Sequence, residues 1–87
     1  MPKISYFFGI TISIYYNEHN PPHLHAVYNE CKATYEIKSG KKIRGEMSKT
    51  AERLIKKWIK LKQKDLLRVW ILAQNKISPL PSVDPLE

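Results

Sequence analysis

The sequence predicts an α+β domain: a small antiparallel sheet of four or five strands, followed by a helical segment packed on one face of it. Three observations predict that class. Over residues 1–47 apolar side chains recur at every second position between turn-forming residues, which is the period of half-buried strands. Over residues 48–76 they recur at helical spacing, and no Gly or Pro interrupts residues 49–78. A chain of 87 residues supplies one small core but not two, so residues 1–87 are read as a single domain.

The strands follow in order. Ile4, Tyr6 and Phe8 alternate with Ser5 and Phe7, and Gly9 supplies a turn or bulge before the next run. There Ile10, Ile12 and Ile14 alternate with Thr11, Ser13 and Tyr15. Beyond the Pro21-Pro22 pair, Leu24, Ala26 and Tyr28 fall on one face of a strand, with His23, His25 and Val27 on the other. Asn29-Glu30 reads as a tight turn, because Asn tolerates positive φ. Ala33, Tyr35 and Ile37 then alternate with polar neighbours until Ser39-Gly40, and a short run about Ile43 offers a fifth strand.

Ser48 is a fair N-cap for the helical half. Ile55, Trp58, Ile59, Leu61, Leu66, Val69, Trp70 and Ala73 fall in one broad sector with Leu54. Trp58 and Trp70 are therefore read as core. One continuous helix of about 27 residues would be roughly 40 Å long, in a domain only about 25 Å across. Lys62 and Asp65 also intrude on the apolar sector, so the segment is expected as one kinked or two consecutive helices, breaking near residues 62–65. Residues 77–87 contain three prolines and no periodicity, and read as an extended strap or a disordered end.

The formal charge of +7 is unevenly placed. Residues 49–76 carry nine Lys/Arg against two acids, so the basic character belongs almost wholly to the helical segment. Lys49, Arg53, Lys56, Lys57, Lys60, Lys64 and Arg68 cluster opposite the apolar sector. Seven cations on one side of a helix suit a nucleic acid or an acidic partner protein, although a solvated helix face has the same appearance. The binding candidates are Arg53, Lys56, Lys57, Lys60, Lys64 and Arg68. Five tyrosines could stack bases, but strand periodicity assigns most of them to the sheet. The lone Cys31 excludes an internal disulfide and any multi-cysteine zinc cage, which fits a reducing cytoplasm. No eighteen-residue apolar run and no small-residue cleavage site is present, so a cytoplasmic protein without a membrane span is expected.

All three histidines fall in the segment Asn17–His25, NEHNPPHLH. The same residues, FFGITISIYYNEHNPPHLHAVY, together with the helix stretch WIKLKQKDLLRVW, resemble the small prokaryotic proteins of domain-of-unknown-function family 4160. The resemblance spans Met1 to Leu86. It implies a compact sheet-then-helix fold, and a gene-neighbourhood association with a second small protein of the toxin–antitoxin kind. It implies no activity. Glu18 stands where the family usually has Asp, which keeps the carboxylate and lengthens its reach.

Three readings of the histidines remain open. As catalysts, His19, His23 and His25 titrate near neutrality and could cleave RNA through its 2′-hydroxyl, as a small histidine-dependent ribonuclease or phosphodiesterase would. As metal ligands, the same three with Glu18 match in number a zinc or other divalent site that keeps an open position. His23 and His25 share a strand face, and the proline turn could return His19 toward them. As structural groups, the rings simply bond the turn's carbonyls and cap the hairpin. Spacing does not require a metal, so the structural reading is the simplest. Whether the chain is an enzyme is left open.

Overall fold

The computed structural model describes residues 2–16 and 18–86. Asn17, which opens the histidine segment, lies outside the described residues. Five strands, β1 (Lys3–Phe7), β2 (Ile10–Ser13), β3 (His23–Tyr28), β4 (Cys31–Glu36) and β5 (Lys42–Gly45), form one antiparallel sheet in the order of the chain. Two helices follow, α1 (Lys49–Leu61) and α2 (Gln63–Gln74).

The turns are set by backbone chemistry. Phe7 pairs with Ile10 across Phe8-Gly9, whose φ angles of +49° and +79° suit a two-residue hairpin turn. Tyr28 pairs with Cys31 across Asn29-Glu30, and Asn29 takes φ +53°. Gly45 at φ +89° presses against β4 so closely that an added Cβ would lie 2.2 Å from the Lys32 carbonyl oxygen.

Strand periodicity is observed in β2, β3 and β4. Ile10, Ile12, Ile14, Leu24, Ala26, Tyr35 and Ile37 are all fully buried. It fails in β1. Tyr6 and Phe8 are 58% and 59% exposed, while Ile4 and Phe7 are buried. The cause is pairing: Phe7 stands opposite Ile10 and Ser5 opposite Ile12, so those two positions face the core, and a bulge between Lys3 and Ser5 returns Ile4 to the same side. Phe8 is a turn residue, free of the alternation altogether.

The Ser48 hydroxyl caps α1, accepting from the Ala51 amide at 3.1 Å. The helical segment breaks at Lys62, whose φ of −110° and ψ of 23° leave the helical region. Immediately after it, the Gln63 side-chain amide donates to the carbonyls of Ile37 at 2.8 Å and Lys38 at 2.7 Å, pinning the junction to the end of β4. The domain measures 33 × 25 × 22 Å, too short for an unbroken helix through both segments. Leu61, the last residue of α1, stands at the edge of the face that buries Ala51, Ile55, Trp58 and Ile59, and is 63% exposed. Ile55, Trp58 and Ile59 of α1 and Leu66, Val69, Trp70 and Ala73 of α2 close the core. Glu52 ties α1 to the sheet, accepting from the Tyr35 hydroxyl at 3.0 Å and pairing with Lys42 at 3.6 Å.

The tail is a strap. The Val83 amide donates to the Ile4 carbonyl at 2.8 Å along the outer edge of β1, and the Trp58 indole N–H donates to the Asp84 carbonyl at 2.8 Å. Val83 is buried, and Leu80 and Leu86 pack on the same core. No helix among the described residues is long and apolar enough to cross a membrane.

Candidate functional site

Antiparallel register, more than sequence spacing, builds the site. Ser13 stands opposite His25, His25 opposite Thr34, and Thr34 opposite Arg44. Directly opposed residues project from the same face, so these four side chains form a polar row across the face that Leu24 and Ala26 leave free. His23 lies two residues before His25 and shares its side. Glu18, in the connection between β2 and β3, is brought back over the two rings by the turn at Asn20–Pro22.

The result is a convergence of Glu18, His23 and His25, each offering one ligand atom, all within 4.8 Å of one another. His23 Nε2 lies 2.8 Å from Glu18 Oε1, and His25 Nε2 lies 3.8 Å from Glu18 Oε2. The other nitrogen of each ring has its own partner. His23 Nδ1 donates to the Pro21 carbonyl at 2.8 Å, and Thr34 Oγ1 lies 3.4 Å from His25 Nδ1. His25 Nε2 is buried without a hydrogen-bond partner. Burial lowers the pKa of His25, and the positive charges of His23 and Arg44 act the same way against the opposing pull of Glu18. Aromatic rings hold the imidazoles in place: Tyr15 lies 4.5 Å from His25 and Trp70 lies 5.0 Å from His23, centroid to centroid.

The cluster opens into a cavity of about 280 Å³, walled also by Pro21, Thr34 and Arg44. His19 sits exposed on the wall of this cavity and is not one of the three converging groups. Arg44, Thr34, Tyr15 and Trp70 escaped sequence reasoning. The first two are readable only from strand register; Trp70 was assigned to the core, where it is, while one side of its ring also meets His23.

The basic residues form a second candidate surface. Arg53, Lys56, Lys57 and Lys60 on α1, and Lys64 and Arg68 on α2, are all exposed. A groove of about 410 Å³ runs between α1 and the β4–β5 turn, and Lys38 and Lys41 face Lys56 and Lys60 across it. It shares Lys60 and Gln63 with a shallower depression at the helix junction, to which Lys62 and Lys64 contribute. The basic track thus runs from Lys38, Lys41, Lys56 and Lys60 to Lys62 and Lys64, with Asp65 at its α2 end, while Arg53, Lys57 and Arg68 stand outside both depressions.

No curated protein and no solved structure matches the chain. The family described as domain of unknown function (DUF4160) matches residues 9–71, a span that takes in β2 to β5, the Glu18–His23–His25 cluster, the basic groove and both tryptophans. The chain belongs to that family.

Proposed function

We propose that this protein is a nucleic-acid-binding component, of the accessory or toxin–antitoxin type, that seats a phosphate backbone along its basic track. The observation that supports this reading is the groove itself: Lys38 and Lys41 from the sheet side and Lys56 and Lys60 from α1 line it, with no carboxylate among its lining residues. A solvated helix face would carry cations on the helix alone and would mix in acids. An acidic protein partner would call for an apolar anchor at the centre of the contact. Among the described residues, the groove's one large apolar lining residue, Ile59, is fully buried.

The test is binding of a single-stranded RNA 12-mer, followed by fluorescence anisotropy across a salt series. Neutralising about four phosphates gives a slope of log K against log salt near −3. Lys56→Glu with Lys60→Glu should weaken binding at least tenfold and flatten that slope, at an unchanged melting temperature. Equal binding by the charge-reversed variant at low salt refutes the reading. Preference for polyglutamate over RNA would transfer the track to an acidic protein partner.

A further inference from the structure

A hydrogen bond explains only part of the histidine cluster. A proton shared between His23 Nε2 and Glu18 Oε1 satisfies one ring and one carboxylate oxygen. It leaves His25 Nε2, buried and facing the second carboxylate oxygen at 3.8 Å, with nothing to bond. One cation at the centre would satisfy all three groups together.

We infer that Glu18, His23 and His25 form a three-ligand site for a divalent first-row transition ion, with a coordination position left open to the cavity beside Arg44. Four features carry this. The donor set, two imidazoles and one carboxylate, is one that zinc accepts where it keeps an exchangeable fourth position. The spacing fits with little movement: ligands at about 2.0–2.1 Å from a tetrahedral ion lie roughly 3.3 Å apart, against separations of 2.8 Å, 3.8 Å and at most 4.8 Å here. The outer nitrogens are already engaged. Pro21 O accepts the Nδ1 proton of His23, and Thr34 Oγ1 is in place to accept that of His25, so both rings turn their Nε2 lone pairs inward. Tyr15 and Trp70 fix the ring planes, which reduces the ordering cost of ligation.

The side chains are 12%, 26% and 29% exposed for His23, His25 and Glu18, open enough for an ion to enter from the cavity. The exogenous ligand at the open position would be an anion, since Arg44 supplies a second positive charge on the same wall. This site is independent of the basic track, and neither proposal depends on the other.

The experiment is titration of the full chain with Co²⁺ and Zn²⁺. Expected are one Co²⁺ per chain with the visible bands of a four- or five-coordinate ion, displaced by Zn²⁺, and quenching of tryptophan fluorescence as Co²⁺ binds His23, whose ring lies 5.0 Å from that of Trp70. Trp70→Phe should abolish most of that quenching while the visible bands persist. Glu18→Gln and His25→Ala should each weaken binding at least tenfold, and His19→Ala should leave it unchanged. Should a variant fail to fold, the wild-type histidine ring resonances decide, because Zn²⁺ must shift those of His23 and His25 and not those of His19. Absence of saturable binding, or equal loss on His19→Ala, overturns the assignment.

Discussion

Trp58→Ala tests the packing of the whole domain at one position. The Trp58 ring is fully buried, its centroid lies 5.0 Å from that of Phe7, and its indole N–H is the anchor for the strap through the Asp84 carbonyl. Truncating a buried Trp to Ala costs about 3–5 kcal/mol in transfer and cavity terms. The lost hydrogen bond adds little, because Asp84 is exposed and water can replace the donor. A domain of this size has a stability of about 4–13 kcal/mol in total, so the variant should be marginal. With a urea m-value of about 1–1.5 kcal/mol/M, the denaturation midpoint should fall by roughly 2–5 M. Urea unfolding followed by far-UV circular dichroism measures it. Trp58→Phe keeps most of the apolar volume and removes the N–H, so it should cost only about 1–2 kcal/mol. In that variant, amide exchange at Val83 should rise more than exchange in β3. A midpoint for Trp58→Ala within about 0.3 M of wild type, far below the cost of a buried ring, would refute the assignment of this face to the core.

Gly45→Ala should cost about 2 kcal/mol or more, since the added Cβ meets backbone at 2.2 Å and 2.8 Å with φ at +89°. Gly40→Ala, at φ +75° with nothing within 4 Å, should cost only about 1 kcal/mol, and thermal melts showing equal losses would defeat the steric argument. Tyr35 gives a pH dependence. Burial, then the hydrogen bond and the charge of Glu52, raise its pKa well above the ordinary tyrosine range, so the folded state keeps the phenol proton after the unfolded state has begun to lose it near pH 10. The stability from Tyr35 is thus complete below pH 10 and lost as pH rises beyond it, at up to about 1.4 kcal/mol per pH unit. Tyr35→Phe should show a shallower decline between pH 10 and 12 in urea titrations, and identical slopes would count against the mechanism.

The legible parts of the structure are those governed by local period. Ile10, Ile12 and Ile14, or Ala33, Tyr35 and Ile37, announce their face because strand geometry alone places alternate residues together. The break at Lys62 was legible for a similar reason, since a polar residue on the apolar stripe and the size of the domain both argue against one helix. Ile4 and Tyr6 lie on opposite sides because a bulge between Lys3 and Ser5 changes the phase without leaving a mark in composition, and Phe8 misled because it belongs to the turn. Leu61 misled because it stands at the edge of the apolar sector of α1, where the helix face turns to solvent. At the site, His23 and His25 follow from the two-residue period, whereas Arg44 and Thr34 join His25 only through the register of β3, β4 and β5. Register is a long-range property, and neither residue carries a local signal of its neighbours.

The strap gives the domain a particular order of completion during synthesis. Ile4 leaves the ribosome long before Val83, yet the two share a backbone hydrogen bond at the edge of β1. Until residues 80–86 arrive, β1 offers that edge to any other extended chain, and the Trp58 indole lacks its acceptor. The nascent protein is thus most open to strand-mediated association just before residues 80–86 dock. A bulky fusion placed directly after residue 86 would act on this final closing step, whereas one placed before residue 2 would leave the strap free to dock.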